Sequence, residues 1–143
     1  MSPDDGLMAG KSVEREVLAE HRRLDALFVE VQTAFQQPVV SEAAQEAFKE
    51  LGEALDTHFD QEDRLYYPAI WALRPDLKPQ LHAFREEHAE FRRELETIEG
   101  LLARGEFEEA CRAIEALSGK FGRHEVSEEA TLRSLDRELG SSR

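Results

Sequence analysis

The sequence predicts an all-α protein, an up-down-up-down four-helix bundle with short connections. Two observations carry this prediction. Four long segments have apolar residues recurring in steps of three and four, and short breaks built on proline or glycine separate them. No sustained alternation of apolar and polar residues marks a strand. At 143 residues the chain suits one domain with a sizeable core.

Ser12 is placed to cap the first helix, which should end near Gln37 because Pro38 cannot extend it. Ser41 should cap the second, which runs to about Tyr67 or, past a kink at Pro68, to Leu73. The connection "RPDLKP" (74–79) leads to a third helix with Pro79 in its first turn and Gly105 as its stop. The fourth runs from Glu106 to about Leu139, although Gly119 and Gly122 weigh against one unbroken rod. The expected organisation is a flexible tail over 1–11, a bundle over 12–139 and a C-terminal tail over 140–143.

Lys and Arg total 18 against 31 Asp and Glu, a net charge of −13, which repels phosphate backbones and excludes nucleic acid as a partner. The N-terminus lacks the apolar stretch of a secretory signal, and no apolar run approaches the roughly 20 residues that span a bilayer. The single cysteine, Cys111, sits beside a seam and forms no internal disulfide. The expected location is the cytoplasm, with no membrane partner.

Each helix carries a histidine on its apolar seam. Helix one reads Val17, His21, Leu24, Phe28, Val31, Phe35, and helix two reads Phe48, Leu51, Leu55, His58, Glu62, Leu65, Ala69. Helix three reads Leu81, Phe84, His88, Phe91, Leu95, Ile98, Leu102. Helix four reads Phe107, Ala110, Ile114, Leu117, Phe121, His124, Glu128, Thr131, Leu135. In a bundle with short connections, residues equally far from a connection share a height. His21 lies 18 residues before position 39 and His58 19 after it. His58 and His88 are each 15 from position 73, while His88 and His124 are 17 and 19 from Gly105. At about 1.5 Å per residue the mismatches are about 3 Å or less, so all four histidines meet in one layer. His82 lies off its seam and is read as a surface residue.

His58 with Glu62, and His124 with Glu128, are four apart and can both face inward. Two carboxylates at one buried level repel unless protonated or bridged by a cation. Four nitrogens and two carboxylates suit two divalent ions bridged by both glutamates, with positions left for a small ligand. Mixed imidazole and carboxylate ligation points to iron, with manganese or zinc as alternatives; a structural zinc site is more often closed and cysteine-rich. Asp25 and Glu87 are read as solvated flanks, or else as outer supports of His21 and His88. Tyr66, Tyr67 and Trp71 are read as ordinary packing near the site.

The pieces "EHRRLDALF" (20–28), "HFDQEDRLYYP" (58–68), "EEHAEF" (86–91) and "HEVSEE" (124–129) resemble the hemerythrin-like (HHE cation-binding) family. On that resemblance the ligands fall on His21, His58, Glu62, His88, His124 and Glu128. The resemblance implies two iron ions in a solvent-bridged non-haem centre, which in true hemerythrins binds O2 reversibly. Two departures stand out. Oxygen carriers have a His-xxx-His pair on helix three, where Phe84 takes the first place here, and an aspartate five residues after the helix-four histidine, where this chain has Glu128 at four and Glu129 at five. The four-histidine, two-glutamate pattern looks more like bacterial relatives linked to NO or peroxide response and iron–sulfur centre repair.

The expected function is therefore binding of O2 or a related small oxidant at a di-iron site, for oxygen binding, storage or sensing. One alternative is a redox protein acting on NO or peroxide, or in iron–sulfur repair. A second is a metal-free interaction bundle. Ferritin-like di-iron proteins fit poorly because their Glu-x-x-His pairs have the opposite order and spacing.

Overall fold

The computed structural model describes the backbone of residues 3–141 and the side chains of residues 13–135. Among the described residues every regular element is helical: α1 (Pro3–Phe35), α2 (Glu42–Gln61), a π-helical turn (Glu62–Tyr66), α3 (Tyr67–Leu73), a 3₁₀ turn (Pro75–Leu77), α4 (Lys78–Ala103) and α5 (Phe107–Ser141). Through the π turn, α2 and α3 form one continuous run, since the junction residues Gln61, Glu62, Tyr66 and Tyr67 all keep right-handed helical dihedrals. Four long runs result. α1 packs on α2 and α5, and α4 packs on α5 and α2, so each run touches two neighbours around a bundle. No described helix is long and apolar enough to cross a membrane.

Several boundaries follow local chemistry. The Ser41 hydroxyl accepts the Ala44 N–H at 3.1 Å, which satisfies one of the open donors at the start of α2. Pro79 sits in the first turn of α4, where its missing N–H costs nothing. Gly105 adopts φ +74°, and the Glu106 N–H closes back on the Leu101 carbonyl at 2.9 Å to end α4. α5 continues unbroken through Gly119 and Gly122.

Two boundaries correct the expectation. α1 begins at Pro3, so Ser12 lies inside the helix and does not cap it, and most of the expected 1–11 tail is helical. The physical reason is that Pro3 suits a first helical turn, with its φ already set and no N–H to satisfy. α5 runs to Ser141 rather than Leu139, a difference within ordinary helix-end fraying. Residues 1, 2, 142 and 143 lie outside the described residues.

The more consequential correction lies after Glu62. The expected seam residue Leu65 is 62% exposed and Ala69 is only half-buried, while Tyr66, Tyr67 and Ile70 are buried. The Tyr67 N–H bonds to the Glu62 carbonyl five residues back, which inserts one extra residue and moves the inward face by one position. Pro68 explains the widening. It has no N–H, and its ring would clash with the carbonyl of Arg64 in a regular helix. Smaller slips occur at helix ends, where Leu101 and Leu132 are buried and the expected Leu102 and Thr131 are half-buried.

The buried apolar residues form two clusters. The larger runs from Leu24 to Phe35 on α1 through Phe48, Phe59, Phe91, Ile114 and Phe121 on the other runs. The smaller gathers Val17, Tyr66, Tyr67, Ile70, Leu81, Phe84, Leu132 and Leu135. His21, His58, Glu62, His88, His124 and Glu128 belong to neither and are all buried. The seam order places them between the two clusters, so the polar layer is closed by hydrocarbon at both ends.

The register shift makes a stability prediction. Ile70→Ala should cost about 2–5 kcal/mol, as cavity-forming core truncations do, whereas Leu65→Ala should stay within about 0.5 kcal/mol. Chemical denaturation of both variants checks this, and the reverse ranking would contradict the shifted register.

Candidate metal centre

Each helical run delivers one histidine to the layer, and all four rings have the same orientation. The Nε2 atoms face inward and the Nδ1 atoms face outward. Glu62 Oε1 lies 3.1 Å from His58 Nε2 and 3.1 Å from His88 Nε2. Glu128 Oε1 lies 2.9 Å from His21 Nε2, and its Oε2 lies 3.5 Å from His124 Nε2. Two sets of potential ligand atoms result, each within 4.8 Å of one another: His21, His58, Glu62 and Glu128 in one, and Glu62, His88, His124 and Glu128 in the other. Both glutamates belong to both sets. The six residues singled out from the sequence are therefore brought together, and Glu128, not Glu129, is the inward carboxylate.

Outside this layer runs a ring of acids, of which the sequence offered only Glu87, as a candidate support of His88, and Glu129, as an alternative to Glu128. His21 Nδ1 meets Glu129 at 2.8 Å, His58 Nδ1 meets Glu20 at 2.5 Å, His88 Nδ1 meets Asp63 at 2.9 Å and His124 Nδ1 meets Glu87 at 3.2 Å. An ionised carboxylate can only accept, so Nδ1 carries the proton and Nε2 presents a lone pair inward. The four bonds form a cycle. α1 supplies the acid for the histidine of α2, the α2 run for α4, α4 for α5, and α5 for α1. Glu87 thus supports His124 and not His88, and Asp25 lies against Glu125 rather than His21. The available signal was adjacency: every supporting acid is the sequence neighbour of a seam ligand, but on a different helix from the histidine it serves.

Tyr67, expected as ordinary packing, also reaches the site. Its hydroxyl donates to Glu128 and lies 3.3 Å from His88 Nε2, while its ring stacks on His88 at 5.6 Å. The π turn is what rotates it into the site. Phe84 is buried with its ring 5.4 Å from that of His124 and 6.0 Å from that of Tyr67, so it occupies a flank of the layer with hydrocarbon. Trp71 and Tyr67 line a cleft of about 170 Å³ with Asp63, Pro68, Lys78, Leu81, His82 and Arg85, and this cleft reaches the outer side of Tyr67. His82 itself is exposed and paired with Glu86 at 3.2 Å. Cys111 packs beside the larger core cluster, its thiol donating to the Phe35 carbonyl at 3.4 Å.

The electrostatics of the layer call for positive charge. Glu62 is fully buried, yet neither of its oxygens, nor His58 Nε2, has an aligned hydrogen-bond partner. Such groups are costly to leave open. Burial, and then the neighbouring Glu128 charge, push Glu62 well above the usual carboxylate range. Glu128 is held well below it: burial opposes ionisation, but Glu62, His124 and His21 outweigh that. Burial lowers His21, and the Glu128 and Glu129 carboxylates overcome it to give a net upward shift. His88 Nε2 and His124 Nε2 lie 3.2 Å apart, two lone pairs aimed at each other. A cation between these donors satisfies the orphaned atoms and removes the repulsion together, so the donor set fits a metal pair.

A model of the hemerythrin HHE cation-binding domain matches residues 13–135. The chain belongs to that family. Comparison with curated proteins and with solved structures gave no match. The HHE domain therefore covers all four helical runs, and its cation-binding character agrees with the two ligand sets.

The contrast between two histidines tests the site. His88→Ala should lower bound metal per chain, because it removes a buried inward nitrogen, while His82→Ala should leave it unchanged. Elemental analysis after identical metal loading checks this, and equal loss in both variants would contradict the layer.

Proposed function

We propose that this HHE domain is a non-haem di-iron protein that binds O2 or a related small oxidant. The observation that carries the reading is the pair of four-ligand sets sharing both glutamates. His21 and His58 would hold one iron and His88 and His124 the other, with Glu62 and Glu128 available to both. Two nitrogens and two oxygens per ion suit iron and leave positions for solvent and an exogenous ligand. Iron bound there would supply redox-active open coordination positions. Alternation of the helices up and down the bundle belongs to the same reading, supported by short connections and by the convergence of the histidines.

The chain's own residues would do the rest. The outer acids Glu20, Asp63, Glu87 and Glu129 hold each imidazole in one tautomer and raise its basicity. The Tyr67 hydroxyl fixes Glu128 and offers an O–H donor beside the open side of the His88 set. The cleft ending on Tyr67 is the natural approach for a small ligand, and the two apolar clusters limit water. A cytoplasmic location accords with the lone, unpaired cysteine.

Phe84 favours a second reading, redox chemistry on NO or peroxide or a part in iron–sulfur repair, over simple oxygen carriage. It denies the His88 side a third nitrogen, so that both ions would stay open to added ligands. Anaerobic loading with ferrous iron followed by rapid mixing with O2 tests this. Absorbance should pass quickly to that of the oxidised protein without recovery under vacuum, and Phe84→His should slow the change. A wild-type oxygenated form that lasts for hours and releases O2 under vacuum would overturn the redox reading and restore carriage. Absence of stoichiometric metal after loading would instead favour a metal-free bundle.

A further inference from the structure

The cleft of about 170 Å³ that ends on Tyr67 is walled by two helical stripes. Asp63, Tyr67 and Trp71 follow one another at intervals of four on the run that passes from the π turn into α3. Across from them stand Lys78, Leu81 and Arg85, which step by three and four along α4. Two of these residues also reach the polar layer: Asp63 accepts from His88 Nδ1 at 2.9 Å, and the Tyr67 hydroxyl lies 3.3 Å from His88 Nε2. The cleft therefore adjoins the layer without supplying any of its six inward ligands.

The charge of this lining runs against that of the chain. The protein carries a net charge of −13, yet Lys78 and Arg85 outnumber Asp63 in the cleft. Among the described residues, neither cation is hydrogen-bonded to a carboxylate. Arg85 Nε stands 3.9 Å from Asp63 Oδ1, an oxygen already engaged by His88, and Glu86 beside it pairs with His82 at 3.2 Å. Lys78 Nζ lies 4.9 Å from the centre of the Trp71 ring, which holds its charge against the cleft wall. Trp71 itself is 46% exposed, while Leu81 and Tyr67 are buried behind it. An apolar wall with a few placed charges is the usual make-up of a small-molecule site. The volume is close to the about 150 Å³ that admits one benzene ring.

We propose that this cleft is a binding site for a one-ring aromatic carboxylate, with its charge on Arg85 and Lys78 and its ring against Trp71 and Leu81. The planar guanidinium offers a carboxylate two parallel donors, and the ammonium adds a second positive charge. Stacking of the ring would remove water from the half-exposed indole. A bare inorganic anion would leave that surface wet. The bound ligand would cover the outer side of Tyr67 and draw Arg85 away from Asp63, so its presence would be felt at His88. None of the residues that hold it is an inward metal ligand, so the site stands independently of the di-iron reading.

The test is a titration of the full chain with sodium benzoate, followed by the emission of Trp71, the single tryptophan of the sequence. It is run on the protein as isolated and after zinc loading, so that neither the inner metal nor absorption by iron decides the result. Wild type should bind one benzoate per chain with a saturable change in emission. Benzamide, which has the ring without the charge, and acetate, which has the charge without the ring, should each bind at least about tenfold more weakly. Arg85→Gln should weaken benzoate binding about tenfold at unchanged helical content, and Lys78→Gln several-fold. Lys49→Gln, an exposed cation on α2, should change nothing. Benzamide or acetate binding as tightly as benzoate would overturn the proposal, and this comparison needs only the wild-type chain. Unchanged benzoate affinity in Arg85→Gln, or no saturable change in wild type, would overturn it as well.

Discussion

Glu62 and Glu128 place two carboxylates in one fully buried layer, each within contact distance of two imidazole nitrogens, and the rest of the bundle is arranged around that conflict. Two like charges out of water repel and lose hydration, while the nitrogens facing them present further lone pairs. Protonation relieves part of this, which is why one carboxyl is pushed up while its partner is held low. Cations between the carboxylates would satisfy these inward atoms and remove the repulsion together. Among the described residues the layer lies between the two buried apolar clusters, so what it binds bears on the stability of all four runs.

The surrounding structure serves that layer at three distances. At contact, four imidazoles share one orientation because each Nδ1–H is held by an acid from a neighbouring helix. These bonds tie the runs together in a closed cycle, so the ligand geometry and the helix packing are set by the same contacts. Next to it, the π turn moves the inward face by one residue. An ordinary helix would have pointed Leu65 inward; the wider turn brings Tyr67, whose hydroxyl reaches Glu128. Farther out, Phe59 stacks on His88 at 4.3 Å and Phe121 stacks on His124 at 6.2 Å, so that the rings rest on aromatic faces on the side of the larger core. Among the described residues the π turn thus falls at the place where it re-aims a site residue.

How much of this was legible in the sequence depended on periodicity. The four runs, the caps at Ser41 and Gly105 and the six inward residues all follow from steps of three and four and from turn chemistry, which are local. The layer followed because helix rise is constant, so counting from the connections fixes height. His82 was excluded by the same count. What failed were features that local pattern does not encode. The π turn shifts register without any change in apolar spacing; only Pro68 hinted at it. The outer acids are adjacent in sequence to ligands but serve the histidine of another helix, so Glu87 could not be matched to His124 without the packing. Tyr67 looked like core because its ring is core, and only its hydroxyl belongs to the site. Pro3 starts α1 where composition suggested a tail.

Mössbauer spectroscopy of the oxidised protein, reconstituted with ⁵⁷Fe under anaerobic conditions and matched to iron analysis on the same sample, tests the shared-glutamate arrangement most directly. The account predicts two irons per chain that are antiferromagnetically coupled through their common ligands, giving a diamagnetic ground state. Reproducible binding of one magnetically isolated iron per chain, or two that show no coupling, would contradict it.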